Sequence, residues 1–259
     1  MLGAIIGDIA GSKYEFNNYR SKNFDLLAND CYFTDDTVMT IAVYVALKSC
    51  KGKYDKLEDE TVKQMHKIGK RYMDSGFGGM FKRWLLTNDT KPYNSFGNGS
   101  AMRVSPVVKF AKSLDEVKML SAKVTKVTHN HPEGIKGAEA TAVAIYLAKE
   151  GKSKEEIKKY IEENYYDLNF NYEDLVENYR FNETCQDSVP QALYCFFISE
   201  SFEDCLKTTI SIGGDSDTLC AISGAIAEAY YGIPDYIKQW GLKFLDKYLL
   251  KHIKDVVTE

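Results

Sequence analysis

Two short segments of the chain place acidic residues beside threonine, directly before an apolar stretch. The first acidic segment, residues 34–36, opens TDDTVMTIAVYVALK, and the second, residues 215–218, lies within GGDSDTLCAISGAIA. A threonine or aspartate often caps a helix because its side-chain oxygen accepts a free backbone N–H. Acidic groups also suit the positive end of the helix dipole. Taken singly, each segment is explained as well by capping as by chemistry.

The two segments together favour a metal site over two unrelated caps. The helices that they open are rich in small and apolar residues, so we expect both to pack in one core. That packing would bring together the carboxylates of Asp35, Asp36, Asp215 and Asp217. Carboxylates held this close raise each other's pKa unless a cation compensates them. Oxygen ligands favour Mg²⁺, Mn²⁺ or Ca²⁺ over Zn²⁺, and four carboxylates suit a pair of ions that orients an oxygen nucleophile.

Two other acidic motifs do not fit the second acidic segment. In haloacid-dehalogenase-type phosphatases the threonine follows the first aspartate by four residues, whereas Thr218 follows Asp215 by three. The doubly wound α/β pattern expected around that motif is also missing. No twelve-residue calcium loop with glycine and glutamate at the required positions is present.

Three further segments combine small residues with groups that can bind or react. In GAIIGDIAGSKYEF, Gly3, Gly7 and Gly11 are four residues apart, which indicates close helix packing, and Glu15 falls at the helix exit. YNSFGNGSAMRVSPV (93–107) is either an ordinary turn or a loop whose backbone N–H groups bind an anion. In THNHPEG, His129 and His131 cap a helix, contact a ligand or chelate a metal, but the segment offers no third zinc ligand.

Composition limits the classes of protein. The formal net charge is −4 with no dominant basic patch, which argues against nucleic-acid binding. No apolar run reaches the roughly 20 residues of a spanning helix, and the N-terminal run lacks a signal-peptide pattern. The six cysteines form no C-x-x-C pair, so we expect reduced thiols and a cytoplasmic protein.

Helical periodicity dominates, so the sequence predicts an all-α protein with one domain over residues 1–259. Loop-rich segments at 11–34 and 74–106, and a partly irregular tract at 165–187, interrupt the predicted helices. The run TTISI (208–212) is either a strand or a helix end. The predicted helices cover 37–49, 58–74, 114–128, 133–149, 153–164, 188–200, 202–210, 217–231 and 234–250.

These segments, in this order, resemble the ADP-ribosylglycohydrolase family. The resemblance rests on GDIAGSKYEF, FTDDTVMT, FGNGSAMRVSPV, THNHPEGIKGA and GGDSDTLCAISGAIAEAYYG, and it spans most of the chain except 165–187. It implies a compact orthogonal helical domain with two Mg²⁺ ions, for which Mn²⁺ can substitute. The implied metal ligands are Thr34, Asp35, Asp36, Asp215, Asp217 and Thr218.

The resemblance also implies the remaining site residues. Glu15 matches the glutamate beside the reaction centre, and we name it with Asp36 as a catalytic candidate; Glu15 would act as the base or proton shuttle. The matching substrate-binding residues for ADP-ribose are Gly97, Asn98, Gly99, Ser100, Met102 and His129. The nitrogenase-type members have a further loop aspartate, but SGFGGMFKRW (75–84) contains no acid and only Asp74 and Asp89 flank it.

The expected function is magnesium-dependent hydrolysis of the glycosidic bond between ADP-ribose and an acceptor on a protein or small molecule. The chain is expected to act as a monomer without membrane contact. Two alternatives stay open: a metal-dependent hydrolase of another phosphorylated nucleoside, and a non-catalytic ADP-ribose-binding protein. The acceptor is also open, among arginine, serine, a nucleobase, a guanidine and acetate.

Overall fold

The computed structural model describes residues 1–87 and 90–258, and this part of the chain is helical without any strand. Its one β-type pairing is an isolated antiparallel bridge between Gly97 and Thr184. The all-α prediction is therefore confirmed. The α-helices are α1 (Leu2–Ser12), α2 (Asp35–Ser49), α3 (Leu57–Gly69), α4 (Gly79–Leu86), α5 (Val107–Phe110), α6 (Leu114–Lys126), α7 (Pro132–Lys149), α8 (Lys154–Asn164), α9 (Tyr172–Asn178), α10 (Val189–Ile198), α11 (Phe202–Ser211), α12 (Ser216–Tyr231), α13 (Asp235–Leu242), α14 (Lys247–His252) and α15 (Lys254–Val257).

Helices α1 and α12 lie backbone against backbone. A Cβ atom added to Gly3 would lie 2.2 Å from the carbonyl oxygen of Gly224, and one on Gly7 would lie 2.0 Å from that of Cys220. At Gly11 the corresponding distance to the oxygen of Ser216 is 2.4 Å. No side chain fits at these separations, so the glycine spacing does reflect close helix packing. The contact brings the C-terminal end of α1 beside the N-terminal end of α12.

The buried apolar side chains form one continuous cluster. Helices α2, α7 and α12 contribute most of their length to it, because their residues are small or apolar on nearly every face. Small and apolar side chains have no polar group that would lose a hydrogen bond to water on burial, so they are commonly fully buried. In the described part of the chain, no helix is both long enough and apolar enough to cross a membrane.

Several predicted boundaries were wrong. The helix predicted at 58–74 ends at Gly69, and the loop-rich region 74–106 contains α4. The helix predicted at 234–250 is two helices, because Asp246 accepts hydrogen bonds from the backbone N–H groups of Tyr248 and Leu249 and starts α14. TTISI lies at the end of α11, so it is a helix end and not a strand.

Candidate active site

A cleft of about 350 Å³ opens where α2, α12 and the loop after α1 meet. Its lining combines acidic side chains with glycines and with aromatic and apolar side chains. Its lining comprises Glu15, Asp35, Asp36, Met39, Gly76, Gly78, Gly79, Met80, Phe81, Tyr93, Asn94, Ser95, Phe96, Gly97, Asn98, Gly99, Met102, Arg103, His129, Glu183, Thr184, Asp215, Asp217 and Thr218.

The two acidic segments meet in this cleft. Asp35 and Asp36 are the first residues of α2, whereas Asp215 occupies the N-cap position of α12 without a side-chain capping bond and Asp217 lies in its first turn. The Thr218 hydroxyl is 3.4 Å from Oδ2 of Asp36, which joins the two segments directly. One carboxylate oxygen each from Glu15, Asp215 and Asp217 lies within 4.8 Å of the others, a grouping that can hold a metal ion.

These carboxylates are short of compensating donors. Oδ1 of Asp36 and Oδ1 of Asp217 are buried and have no hydrogen-bond partner among the described residues. Burial and the neighbouring carboxylates raise the pKa of Asp35, Asp36 and Asp217 well above the usual range. Buried charges of this kind are normally paired or bound to metal. The oxygen-only donor set therefore fits a hard divalent cation.

Glu15 and Asp215 share this electrostatic environment. Burial, together with the charges of Asp217, Asp8 and Glu183, raises the pKa of Glu15 to about 8. Burial raises the pKa of Asp215 to about 7, against the opposing effect of hydrogen bonds from Asp217 and Asn98. Glu15 is half-buried and directly follows the end of α1, so its carboxylate lies at the cleft wall and not in the core.

Asp8 was not among the predicted site residues, yet it supports the first acidic segment. It is fully buried on α1 and accepts hydrogen bonds from the N–H of Thr34 (3.0 Å) and the N–H of Thr37 (3.1 Å). The hydroxyls of Thr34 (2.7 Å) and Thr37 also donate to it. Thr34 does not line the cleft; its hydroxyl donates to Asp8 and accepts from the N–H of Asp36 at 3.2 Å, which leaves one lone pair of its oxygen for a ligand. A carboxylate within an apolar helix was the available signal, because such a group needs partners.

The glycine loop, residues 97–102, forms a further part of the cleft lining. Gly97, Asn98, Gly99 and Met102 line it, as does His129. Asn98 donates from Nδ2 to Oδ2 of Asp215 at 2.7 Å and to the hydroxyl of Ser188 at 3.1 Å, so it supports the second acidic segment.

Ser100 is the one predicted substrate-binding residue that does not line the cleft. Its hydroxyl donates to the carbonyl of Gly134 on α7 at 2.8 Å. The backbone of Gly134 packs so closely here that an added Cβ would lie 2.7 Å from the carbonyl of Ser95. The serine side chain therefore ties the glycine loop to α7 instead of facing a ligand.

The 165–187 tract forms a wall of the cleft that sequence reasoning missed. The N–H of Asn98 donates to the carbonyl of Glu183 at 2.7 Å, and the N–H of Cys185 donates to the carbonyl of Phe96 at 3.0 Å. These bonds place the exposed Glu183 and the neighbouring Thr184 at the cleft. Asp74 lines a separate cavity, and Asp89 lies outside the described residues.

The histidines of THNHPEG have different environments. His131 caps α7, since its Nδ1 accepts from the N–H of Glu133 at 3.1 Å. His129 is buried beside Thr128 and the fully buried Arg103, with Nδ1 2.8 Å from the Thr128 hydroxyl. Arg103 lies within the FGNGSAMRVSPV segment but was not among the predicted site residues; an arginine between apolar residues was its signal. The histidine pair does not form a metal site with His131 in its capping role.

Comparison with known proteins agrees with the motifs. The sequence profile of the ADP-ribosylglycohydrolase family matches residues 1–257. The chain is similar to ADP-ribosylhydrolase ARH3 of Mus musculus, at 26% identity over 93% of this chain and 85% of that protein. It is also similar to the ADP-ribosyl-(dinitrogen reductase) glycohydrolase of Rhodospirillum rubrum, at 27% identity over 98% and 91% of the two chains.

The fold is shared with a solved structure, an ADP-ribosylglycohydrolase-related protein complex. The TM-score is 0.67 with 20% sequence identity, and the match covers 94% of this chain and 95% of that one. The expected resemblance is therefore confirmed along almost the whole sequence. The chain belongs to the ADP-ribosylglycohydrolase family, the hydrolases that cleave glycosidic linkages to ADP-ribose.

Proposed function

We propose that the protein is a magnesium-dependent hydrolase that cleaves the bond between the anomeric carbon of an ADP-ribosyl group and its acceptor, releasing ADP-ribose. The observation that carries this proposal is the pair of buried, unpartnered oxygens, Oδ1 of Asp36 and Oδ1 of Asp217, on one cleft beside Glu15. A protein that only bound ADP-ribose would have no need for this acidic floor. Since one chain supplies every proposed residue, we propose that it acts as a single-domain monomer.

Two divalent ions would be held by the two acidic segments. The carboxylates of Asp35, Asp36, Asp215 and Asp217 would be the main ligands, with the hydroxyls of Thr34 and Thr218 completing the set. When bound, Mg²⁺, or Mn²⁺ in its place, would compensate the carboxylate charge and help to orient the ribose and the attacking water. The support is the donor chemistry, which is oxygen only.

The protein's own groups account for the rest of the proposed chemistry. Glu15 would accept the proton of the attacking water at a carboxylate oxygen, which is the role of a general base. Asp36 would place negative charge near the ribose, where an oxocarbenium-like transition state develops positive charge. The half-buried position of Glu15 at the cleft wall supports its role, since such a group can reach both water and a bound sugar.

The glycine loop and His129 would bind the ADP-ribosyl group. Glycines at 97 and 99 leave backbone N–H groups accessible to phosphate or ribose oxygens. The apolar and aromatic part of the lining, including Phe96 and Met102, offers surface for the less polar parts of the ligand. We therefore expect ADP-ribose to bind and free adenine to bind weakly.

On the acceptor side, Glu183 favours a positively charged group. Its carboxylate has no hydrogen bond or ion pair with another described residue and lies close enough to Glu15 to raise the pKa of that residue. A carboxylate at this position would stabilise a guanidinium through charge and hydrogen bonds. It would give no such advantage to a neutral serine or acetate linkage. We thus propose an arginine-type or other guanidine acceptor.

A single-turnover assay tests the function. The protein with Mg²⁺ is mixed with peptides ADP-ribosylated on arginine or on serine, and with ADP-ribosylated guanidine and acetate, and released ADP-ribose is quantified. We expect release of ADP-ribose from the guanidine-type substrates, and we expect the rate of this release to be severalfold lower in Glu183→Gln. Binding of ADP-ribose without any cleavage would favour the non-catalytic alternative, and cleavage of the diphosphate with an intact glycosidic bond would favour the nucleoside-phosphate hydrolase.

A further inference from the structure

Arg103 is a buried cation without an ion pair among the described residues, although the charges of Asp35 and Asp36 act on it from beyond ion-pair distance. Its side chain is 1% exposed, and among the described residues it forms no ion pair with a carboxylate. Its Nη2 lies 2.6 Å from the hydroxyl oxygen of Thr128 and 3.3 Å from Nδ1 of His129. Because burying a guanidinium is costly, these contacts suggest a specific task for it.

The direction of each hydrogen bond follows from the donors available. An arginine guanidinium donates only, so the Thr128 oxygen must accept from Nη2. The single hydroxyl proton of Thr128 is then left for a different acceptor. The nearest one is Nδ1 of His129, at 2.8 Å. Thr128 is therefore an acceptor towards Arg103 and a donor towards His129.

The same reasoning fixes the protonation of the imidazole. Both polar neighbours of Nδ1, the Thr128 hydroxyl and Nη2 of Arg103, present protons to it. A proton on Nδ1 would face these donors, so Nδ1 must be the unprotonated nitrogen. In a neutral imidazole the proton then lies on the other nitrogen, Nε2. Burial and the Arg103 charge also lower the pKa of His129 well below its usual range, which keeps the ring neutral.

Nε2 points towards the glycine loop. It is 3.4 Å from the position that a Cβ of Gly99 would occupy and 3.6 Å from that of Gly97. Side chains at these two positions would crowd this edge of the ring, whereas glycine leaves it open. No hydrogen bond within the described chain uses Nε2, and His129 lines the cleft. The ring edge that carries the proton is therefore the edge that a ligand can reach.

We propose that Arg103 and Thr128 are positioning residues that hold His129 as a neutral imidazole protonated on Nε2, so that it donates a hydrogen bond to an oxygen of the bound ligand. The ligand, a ribose or phosphate oxygen of ADP-ribose, rests on the proposed function. The protonation state does not, because it is a property of the free protein. His129 then serves recognition, and proton abstraction is left to Glu15.

Long-range ¹H–¹⁵N correlation spectra of the ¹⁵N-labelled free protein test the protonation state directly, since protonated and unprotonated ring nitrogens differ in chemical shift. The chain has four histidines, and the His129→Gln variant identifies the signals to assign. We expect an unprotonated Nδ1 and a protonated Nε2. A protonated Nδ1 in the wild-type protein would overturn the proposal, whether or not any variant folds.

Two variants test the role of Arg103. Arg103→Met removes the donor that fixes the Thr128 hydroxyl, so a population protonated on Nδ1 should appear and ADP-ribose binding, measured by calorimetry, should weaken on the order of tenfold. Arg103→Lys keeps a cation that only donates and should retain the wild-type tautomer. A melting-temperature increase with Mg²⁺ in both variants shows that they are folded and that the acidic segments are intact.

The outcomes separate this proposal from the proposed function. If Arg103→Met keeps the wild-type tautomer and affinity, Arg103 does not position His129 and the proposal fails. If the wild-type protein shows the expected tautomer and binds ADP-ribose but cleaves no linkage, the positioning role stands and the hydrolase assignment fails. If the protein cleaves a linkage but Nδ1 of His129 is protonated, the hydrolase assignment stands and the positioning role fails.

Discussion

The two acidic segments each combine two aspartates with a threonine but have different supports. The first segment is held by helix α1, because Asp8 of α1 accepts hydrogen bonds from the backbone N–H groups and hydroxyls of Thr34 and Thr37 at the start of α2. The second is held from outside, because Asn98 of the glycine loop donates to Asp215. Neither support brings a positive charge, since Asp8 is an acid and Asn98 is a neutral amide. The charge of the four carboxylates is therefore compensated by protonation or, as we propose, by bound cations.

The largest expected effect comes from removing one carboxylate of either segment. At a Mg²⁺ concentration of about 100 times Kd, binding to the native state alone stabilises it by about 2.7 kcal/mol, which is roughly 5–10 °C in Tm for a chain of this size. Asp36→Ala and Asp217→Ala should each lose this shift and all measurable cleavage. Differential scanning fluorimetry with Mg²⁺, Mn²⁺ or EDTA measures it.

Asp74→Ala is the matched control, because this exposed aspartate lies at a separate cavity. It should keep the full shift. A wild-type Tm that is the same with Mg²⁺ and with EDTA would remove the basis for a metal site, and loss of the shift from only one of the two segments would show that a single segment binds the ion.

Glu15 belongs to neither segment, so its replacement should separate chemistry from metal binding. In Glu15→Gln the shape is kept and the base is lost, and we expect kcat to fall about 10²–10⁴-fold. ADP-ribose and Mg²⁺ should still bind within about tenfold of wild type, or about 1.4 kcal/mol. Single-turnover release and calorimetric titration give the two quantities.

Two other results for Glu15→Gln would change its assignment. Wild-type kcat in the variant would exclude Glu15 as the base. Loss of Mg²⁺ binding together with activity would make Glu15 a metal ligand that belongs with the second acidic segment.

Asn98→Ala tests whether the second segment depends on its outside support. Oδ2 of Asp215 would lose a hydrogen bond in a buried setting, which costs about 1–3 kcal/mol of unfolding free energy. We expect a lower Tm and a smaller, but still measurable, increase with Mg²⁺. Ser100→Ala is the control, since Ser100 lies in the same loop but bonds to Gly134; an equal loss of the Mg²⁺ increment in both variants would mean that any loosening of the loop has this effect.

A pH dependence, the smallest effect when counted per pH unit, involves both segments together. Without metal, the pKa values of Asp8, Asp215 and Glu15 are raised to about 6, 7 and 8, compared with about 4 in an unfolded chain. The native state then holds more protons between pH 4 and 8, so the free energy of unfolding falls as pH rises through this window. Metal binding needs the deprotonated carboxylates and strengthens over the same range.

The Tm difference between Mg²⁺ and EDTA should therefore grow from pH 5 to pH 8, by about 3–5 °C for each proton displaced per pH unit. Asp255, whose pKa is lowered to about 2 by its hydrogen bonds from Lys48 and Tyr44 against the effect of burial, has finished titrating below this range and does not contribute. A difference that stays constant from pH 5 to 8 would contradict the raised pKa values in the cleft.

The sequence predicted those parts of the site in which a local pattern determines the position of the side chain. Two helices of small and apolar residues begin with acidic residues, and this pattern predicted that Asp35, Asp36, Asp215 and Asp217 come together. The glycine spacing of α1 indicated the close helix packing. Asp8 was missed because its partners, Thr34 and Thr37, lie 26 and 29 residues away. Ser100 was expected at the cleft, but its side chain bonds to α7 instead. A loop pattern does not specify which way a side chain points, because the packing of α7 against the loop decides this.

Glu183 was beyond local reasoning for a different reason. The 165–187 tract reaches the cleft through bonds between backbone atoms of residues about 85 positions apart. Any residue other than proline can form such bonds, so they leave no mark on composition or periodicity. Arg103 was visible as a charge among apolar residues, but its contacts with Thr128 and His129 required the fold.

The 165–187 tract is attached to the glycine loop through backbone hydrogen bonds, and this attachment bears on how acceptor preference can change. Main-chain groups of residues 96–98 and 183–185 join the tract to the glycine loop, so the exposed side chain of Glu183 can differ without removing these bonds. The proposed catalytic carboxylates lie where the backbones of α1 and α12 are in contact, whereas the proposed acceptor contact, Glu183, lies on a separate segment. If both proposals hold, a change of acceptor preference requires substitutions only in that segment, with the carboxylates left unchanged.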